Sequence, residues 1–360
     1  MPPDTPSAPR LQPPAAAISR RDFVRATAVA GAAAGLAPAF AACDRGPRLN
    51  LYIWSDYLAP DTISGFERDT GIRVTVDTYE SNEEMAAKLL AGAQGYDVIV
   101  PSSYILPSLV HQELLLSIPA GSLGNLGNIA PIFRTAAANP VPAYAVPYAW
   151  GLTGIVWRQD KIPTLPATWG VFLDPAHPGP MTMMDDGREV LGSMLRYRGQ
   201  SINSTDPAAL EQAKADALAA RPNLRAYVSA PVKGQLVSGD VWIAQLWNGD
   251  AAQARREAPG LAFLVPLEGS NIWIDFMAIP ANAPNVPEAL KFIDYILRPP
   301  VGAAISAATG YGSANAAATA LLEDPVRYPT PEELTRLEFQ HDLGETSALY
   351  DRLWTEVKAG

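Results

Sequence analysis

Leu49-Asn50-Leu51-Tyr52-Ile53-Trp54 opens the stretch whose reading decides the fold. Apolar residues alternate from Leu49 to Ile53, the period of a half-buried strand. A helix is expected next, from Pro60 to about Arg68, closed by Thr70-Gly71. Ile72 to Thr78 alternates again. Ser81 with Glu84 makes a capping-box pattern that starts a helix through Leu90. Tyr96 to Val100 is a short apolar run that stops at Pro101. Strand and helix in turn imply α/β layers around a largely parallel sheet. In open sheets of that kind, ligands bind beyond the carboxyl ends of the strands. Trp54 and Tyr57 follow the first strand, and Ser102, Ser103 and Tyr104 follow the third. Ser102 or Ser103 is equally placed to cap a helix in the following segment.

Outward from there, residues 120–147 are rich in Gly, Pro and Asn and read as an extended connection. The pattern resumes at Val146-Pro147-Tyr148-Ala149-Trp150-Gly151, and a second α/β unit runs to about residue 270. Its strands are Met181 to Met184 and Val241 to Leu246. A helix lies between them, Pro207 to Ala220, with Asp206 as N-cap and proline at the first helical position. Pro287 begins a further helix with Ala289, Leu290, Ile293, Ile296 and Leu297 on one face, ended by Pro299-Pro300. The 360 residues suffice for two lobes with a core each.

The first 43 residues read as a targeting segment. Residues 1–18, rich in Pro and Ala, are expected to be disordered. Ser19-Arg20-Arg21-Asp22-Phe23-Val24 has the form of a twin-arginine signal, followed by a short apolar run from Ala28 to Ala42. That run is too short to span a bilayer comfortably. Cys43, the single cysteine, stands where a lipoprotein signal places the acylated residue, although Phe40 departs from the usual aliphatic residue there. Lipidation would tether the protein to a membrane surface without embedding it. With one cysteine there is no internal disulfide.

The formal charge is −10, and the signal segment carries a net +2, which leaves −12 on the remainder. An acidic body argues against nucleic acid as a partner and suits a cationic ligand. Enzyme motifs are absent: there is no Gly-rich loop ending in Gly-Lys-Ser/Thr and no Gly-x-Ser-x-Gly elbow. His111, His177 and His341 are far apart and lack metal-ligand spacing. No cofactor or metal is called for.

Four stretches set carboxylates beside aromatic rings or other carboxylates: Trp54-Ser55-Asp56-Tyr57, Asp185-Asp186-Gly187-Arg188-Glu189, Trp247-Asn248-Gly249-Asp250 and Trp273-Ile274-Asp275-Phe276. If the fold brings them together, they make an acidic, aromatic-walled pocket suited to an organic ammonium. Burying an ammonium costs several kcal/mol unless a close carboxylate and hydrogen-bond acceptors replace its water. Asp275, Asp186 and Asp250 are candidates for the charge. Ser55, Ser102, Tyr104, Tyr311 and Gln340 are candidates for the neutral contacts, and Trp54, Trp247 and Trp273 for the apolar linker. Each tryptophan taken alone also suits core packing. Asp186 and Glu189 could in principle form the carboxyl pair of a glycoside hydrolase, but three-residue spacing sets them side by side, where a hydrolase needs them to flank a bond.

In these segments the chain resembles the bacterial periplasmic polyamine-binding proteins of spermidine/putrescine ABC transporters. The resemblance runs from Leu49 to Gly360. It is carried by Ile53 to Tyr57, Thr78 to Glu83, Asp97 to Tyr104, Val146 to Gly151, Asp185 to Val190, Trp247 to Gly249, Glu268-Gly269 with Trp273 to Asp275, and Gly310-Tyr311. It implies a two-lobed solute-binding fold that closes on its ligand by a hinge. One lobe would hold 48–149 with 276–319, the other 150–275 with 320–360. It implies ligand contacts from Trp54, Ser55, Tyr57, Ser102, Tyr104, Asp186, Glu189, Trp247, Trp273, Asp275, Tyr311 and Gln340. Asp275 would take one amine, and Asp186 with Glu189 those towards the other end. Asp-Asp-Gly-Arg-Glu is similar to spermidine-preferring members. Trp-Ser-Asp-Tyr, with Asp56, and the aspartate after Trp-Asn-Gly, Asp250, are similar to putrescine-preferring ones. A monomer that hands its ligand to a membrane permease is implied, and an exported sensor could carry the same pocket.

Overall fold

The computed structural model describes residues 46–360 apart from 120, 136–138, 177–178, 230, 324–325 and 327. The twin-arginine pattern, the apolar run, Cys43 and His177 lie outside the described residues. Among the described residues, no helix is long and apolar enough to cross a membrane.

The first part runs β1 (Arg48–Trp54), α1 (Thr62–Thr70), β2 (Arg73–Tyr79), α2 (Asn82–Leu90), β3 (Val98–Ile99), α3 (Leu106–His111) and β4 (Leu115–Leu116). Each expected strand and helix is present within a few residues. Gly71 ends α1 in the left-handed conformation at φ 70°, as the Thr70-Gly71 signal implies. Ser81 caps α2 by accepting from the Glu84 amide, but Glu84 accepts from Glu80 N and not from Ser81 N, so the reciprocal bond is displaced by one residue. Neither Ser102 nor Ser103 caps α3, which starts after Ile105 with no side-chain cap. The Ser102 hydroxyl is engaged elsewhere.

The chain then returns through two single 3-10 turns to a fourteen-residue strand, β5 (Ala145–Arg158). The second part holds β6 (Met181–Met183), α4 (Gly187–Tyr197), α5 (Pro207–Ala220), β7 (Leu224–Tyr227), α6 (Val232–Ser238), β8 (Ile243–Trp247), α7 (Asn248–Glu257) and β9 (Leu261–Leu264). Asp206 caps α5 on the amides of Ala208 and Ala209, and Pro207 stands first in the helix, as read from the sequence. Next come β10 (Ser270–Pro280), α8 (Val286–Ile296) and α9 (Pro299–Thr309). Pro299-Pro300 therefore ends α8 and also begins α9, a helix the sequence reading did not foresee; proline at the first helical position lacks only an amide that would have no partner. β11 (Gly312–Ser313), α10 (Ala316–Thr319), α11 (Pro331–Leu334), β12 (Leu337–Phe339) and α12 (Ser347–Ala359) complete the chain.

The main strand order is β2-β1-β3-β10-β5-β8-β6-β7. β1 is parallel to β2 and β3, and β6 is parallel to β7 and β8. The two parallel sets are joined by β5 and β10, which are antiparallel to each other and to their flanking strands. Three apolar clusters follow this division. One contains Leu51, Phe66, Val98, Phe276 and Phe292. A second contains Trp169, Phe172, Leu191, Leu195 and Tyr350, and a third, Val156, Leu236 and Leu246. Burial of each such side chain contributes about 1.5–3 kcal/mol. Both parallel sets end, at their carboxyl edges, on expected site residues, three of them from the acidic-aromatic stretches: Trp54 at the end of β1, Asp186 after β6 and Trp247 at the end of β8, with Ser102 after β3.

Candidate ligand-binding cleft

These strand ends surround one cleft. Thirteen of the fourteen expected site residues line it: Trp54, Ser55, Tyr57, Ser102, Tyr104, Asp186, Glu189, Trp247, Asp250, Trp273, Asp275, Tyr311 and Gln340. Asp56 is the exception. Glu80, Asn82 and Asn271 line it as well.

Asp275 sits on β10 where the strand's pairing with β5 slips by a residue, between Asp275 and Phe276. A bulge of this kind re-aims a side chain. Across from β5 it forms an isolated bridge with Ser102. Only 4% of Asp275 is exposed. Its carboxylate accepts from Tyr57 Oη at 2.8 Å and from Ser102 Oγ at 2.5 Å. Asn82 locks Ser102 in place, accepting from its amide at 3.0 Å and donating to its hydroxyl at 3.0 Å. Burial raises the Asp275 carboxyl to about 7, and the two hydroxyl donors pull it down only in part. An ionised carboxylate there holds two neutral hydrogen bonds and still has lone pairs to offer.

The walls are aromatic. Trp54 donates its indole N–H to the Val100 carbonyl and faces Trp247 edge-on, with ring centroids 6.1 Å apart. Trp273 packs on Tyr311 at 5.1 Å, and Tyr311 on Tyr57 at 5.3 Å. Trp273 can lie where it does because residue 151 is glycine: a Cβ there would fall 2.3 Å from its ring. Gly249 likewise leaves room for Tyr311, whose ring would lie 2.4 Å from a Cβ at that position. Aromatic rings lining a cleft can attract a cation with their faces and cover methylenes.

At one end stand Asp186 and Glu189. Asp186 is the N-cap of α4, accepting from the amides of Arg188 (2.9 Å) and Glu189 (3.1 Å) through one oxygen. Glu189 accepts from Asn271 Nδ2 at 2.9 Å and from Trp247 Nε1 at 3.4 Å. Burial raises both carboxyls, and the charge of Glu189 raises Asp186 further. Glu83 is raised too, by burial and then by Asp186. Tyr104 donates to Glu83 at 2.9 Å, and the Arg188 guanidinium lies 5.1 Å over the Tyr104 ring. Asp186 and Glu189 belong to one helical turn, side by side, which is not the opposed arrangement a glycoside hydrolase requires.

At the other end Asp250, 5% exposed, is raised by burial to about 6, with Lys233 pulling it down. Lys233 Nζ lies 3.2 Å from Asp250 and 2.7 Å from Asp56. Asp56 has φ 53°, an uncommon left-handed conformation that aspartate tolerates better than most residues. Its carboxylate faces Lys233 and is largely exposed, which puts Asp56 outside the cleft lining.

Four residues of the site region escaped sequence reading. The signal around Glu80 and Asn82 was absorbed by the capping-box pattern, although Ser55 donates to Glu80 at 2.6 Å. Asn271 precedes Trp273 by two in a strand and so shares its face. Lys233 lies alone on a short helix, and nothing in the sequence connects it to Asp56, 177 residues away.

Residues 61–332 match the family model described as bacterial extracellular solute-binding protein. The spermidine/putrescine-binding periplasmic protein of Salmonella typhimurium is 36% identical over 319 residues, covering 87% of this chain and 92% of that one. The putrescine/cadaverine-binding protein of Pseudomonas aeruginosa is 35% identical over 349 residues, covering 92% and 98%. Among solved structures, the spermidine/putrescine ABC transporter substrate-binding protein of Streptococcus pneumoniae superposes with a TM-score of 0.72 at 31% identity, covering 87% of this chain and 99% of that one. An agropinic acid-binding protein of Agrobacterium shares the fold alone, at 21% identity and a TM-score of 0.67.

Proposed function

This chain belongs to the bacterial extracellular solute-binding protein family, and we propose that it captures a polyamine outside the cytoplasm and delivers it to a membrane ABC permease. The observation that carries this reading is Asp275: among the described residues, a buried carboxylate held by two hydroxyls, inside an aromatic-walled cleft, with no cationic side chain among its hydrogen-bond partners. An ammonium supplies the missing charge. Asp186 and Glu189 supply a second charged subsite at the other side of Trp247, and the ring faces cover the methylenes between. The protein is a binder with no catalytic step.

The expected lobes are 48–149 with 276–319 and 150–275 with 320–360, and the separate apolar clusters support a division into lobes without fixing these bounds. Val326, Tyr328 and Phe339 pack on the first cluster, which moves the third crossing towards residue 340. β5 and β10 form the other two crossings, and hinge closure brings the Trp54 and Trp247 walls together. The protein works as a monomer, exported by the twin-arginine signal and anchored through Cys43.

Titration calorimetry with putrescine, spermidine and a neutral amino acid tests this. Binding of at least one polyamine more tightly than about millimolar, with no heat from the amino acid, is expected. Failure of both polyamines to bind overturns the reading.

A further inference from the structure

Lys233 reaches two acidic residues of the cleft region, Asp56 and Asp250. It is 14% exposed. Its ammonium has three acceptors within reach: Asp56 Oδ2 at 2.7 Å, Gln253 Oε1 at 3.0 Å and Asp250 Oδ1 at 3.2 Å. A lysine ammonium has three N–H donors, so this set satisfies it. Gln253 is itself fixed, donating to the Thr309 carbonyl at 2.8 Å and to Asp250 at 3.4 Å. Lys233 and Asp250 come from neighbouring helices α6 and α7, whereas Asp56 comes from the turn after β1. The ammonium therefore ties the two parallel sets together at this end, as a ligand amine would.

The two aspartates are among the positions, with Asp186 and Glu189, that the resemblance connects with ligand choice. In this chain they already have a cation. Resting on the polyamine reading above, we infer that Lys233 determines specificity: its ammonium fills an amine position between Asp56 and Asp250. The cleft then selects ligands whose charges fall on Asp275 and on the Asp186–Glu189 end and disfavours a further charge at the Lys233 end. Removing the lysine charge leaves two carboxylates facing the space it occupied. One further ligand ammonium then becomes favourable, because an unpaired buried carboxylate is costly.

The test is calorimetry of the wild type, K233M, K233Q and K233R with putrescine, a diamine, and spermidine, a triamine. The expected result is a change of about tenfold in the ratio of affinities towards the triamine in K233M, a smaller change of the same sign in K233Q, and an unchanged ratio in K233R. Thermal midpoints report folding, and K233Q decides the matter where K233M is unfolded. A ratio that moves by less than about threefold in the folded uncharged variants overturns the inference, as does an equal change in K233R. Wild type that binds neither amine overturns the polyamine reading instead, so the two failures are distinguishable.

Discussion

Asp275 and Asp250 are alike in type and depth, 4% and 5% exposed, and both line the same cleft. They differ in company. Asp275 is met by two hydroxyls, and burial raises its carboxyl to about 7. Asp250 has Lys233 at 3.2 Å and rises only to about 6. A buried carboxylate without a cation is poised to take one from the ligand, and one already paired contributes mostly to shape. On the polyamine reading proposed above, counting acidic residues therefore overstates how many amines the cleft holds.

The sharpest way to break the comparison is to neutralise each aspartate in turn. Asp275→Asn should cost on the order of 100-fold or more in polyamine affinity by calorimetry, the scale of breaking a buried charge pair. Asp250→Asn should cost far less, about tenfold at most, because the lysine and not the ligand loses a partner. Equal losses would mean that the ligand amine sits on Asp250. Next in size, Gly151→Ala should displace the Trp273 ring, which a new Cβ would meet at 2.3 Å, and weaken binding by about tenfold or more, with Trp273 fluorescence changed in the ligand-free protein.

A pH series is a third test. Asp275 must be ionised to hold an ammonium, so affinity should fall by about tenfold between pH 8 and pH 6, with protons released on binding near neutrality. Ligand-free stability should move the other way. The folded carboxyl, at about 7, lies above its ordinary 3.8, so the folded state binds the extra proton between those values. This group's contribution therefore grows as pH falls through 7 and is lost as pH rises through it. Ligand-free thermal midpoints should rise from pH 8 to 5.5 while the increment added by ligand shrinks; parallel trends would refute the assignment. The smallest effect on binding is expected from Asp216→Asn. Asp216 is buried on α5 and accepts two bonds from Arg198, at 2.7 and 2.6 Å, and neither residue lines the cleft. Affinity should stay within about twofold while the thermal midpoint falls by a few degrees.

Much of this was legible before any coordinates. Alternation marked β1 and β2, Asp206 with Pro207 marked the start of α5, and Gly71 marked the end of α1, because strand period, N-caps and left-handed glycines are local properties. The four acidic-aromatic stretches and the resemblance named thirteen residues that come to line one cleft. What escaped were choices among neighbours. Ser102 could cap a helix or hold Asp275, and only the bridge between β3's end and β10 decides for Asp275. Pro299-Pro300 stops one helix and starts the next, which a terminator signal alone does not reveal.

By itself, then, the sequence determined the alternation of strands and helices, the acidic and aromatic inventory and the family. These rest on residue type and short spacing. Only the tertiary structure decided which carboxylates have a cationic side chain beside them. That depends on the side chain 3 Å away, and for Asp56 it is Lys233, placed 177 residues later in the chain by the packing of α6 against α7.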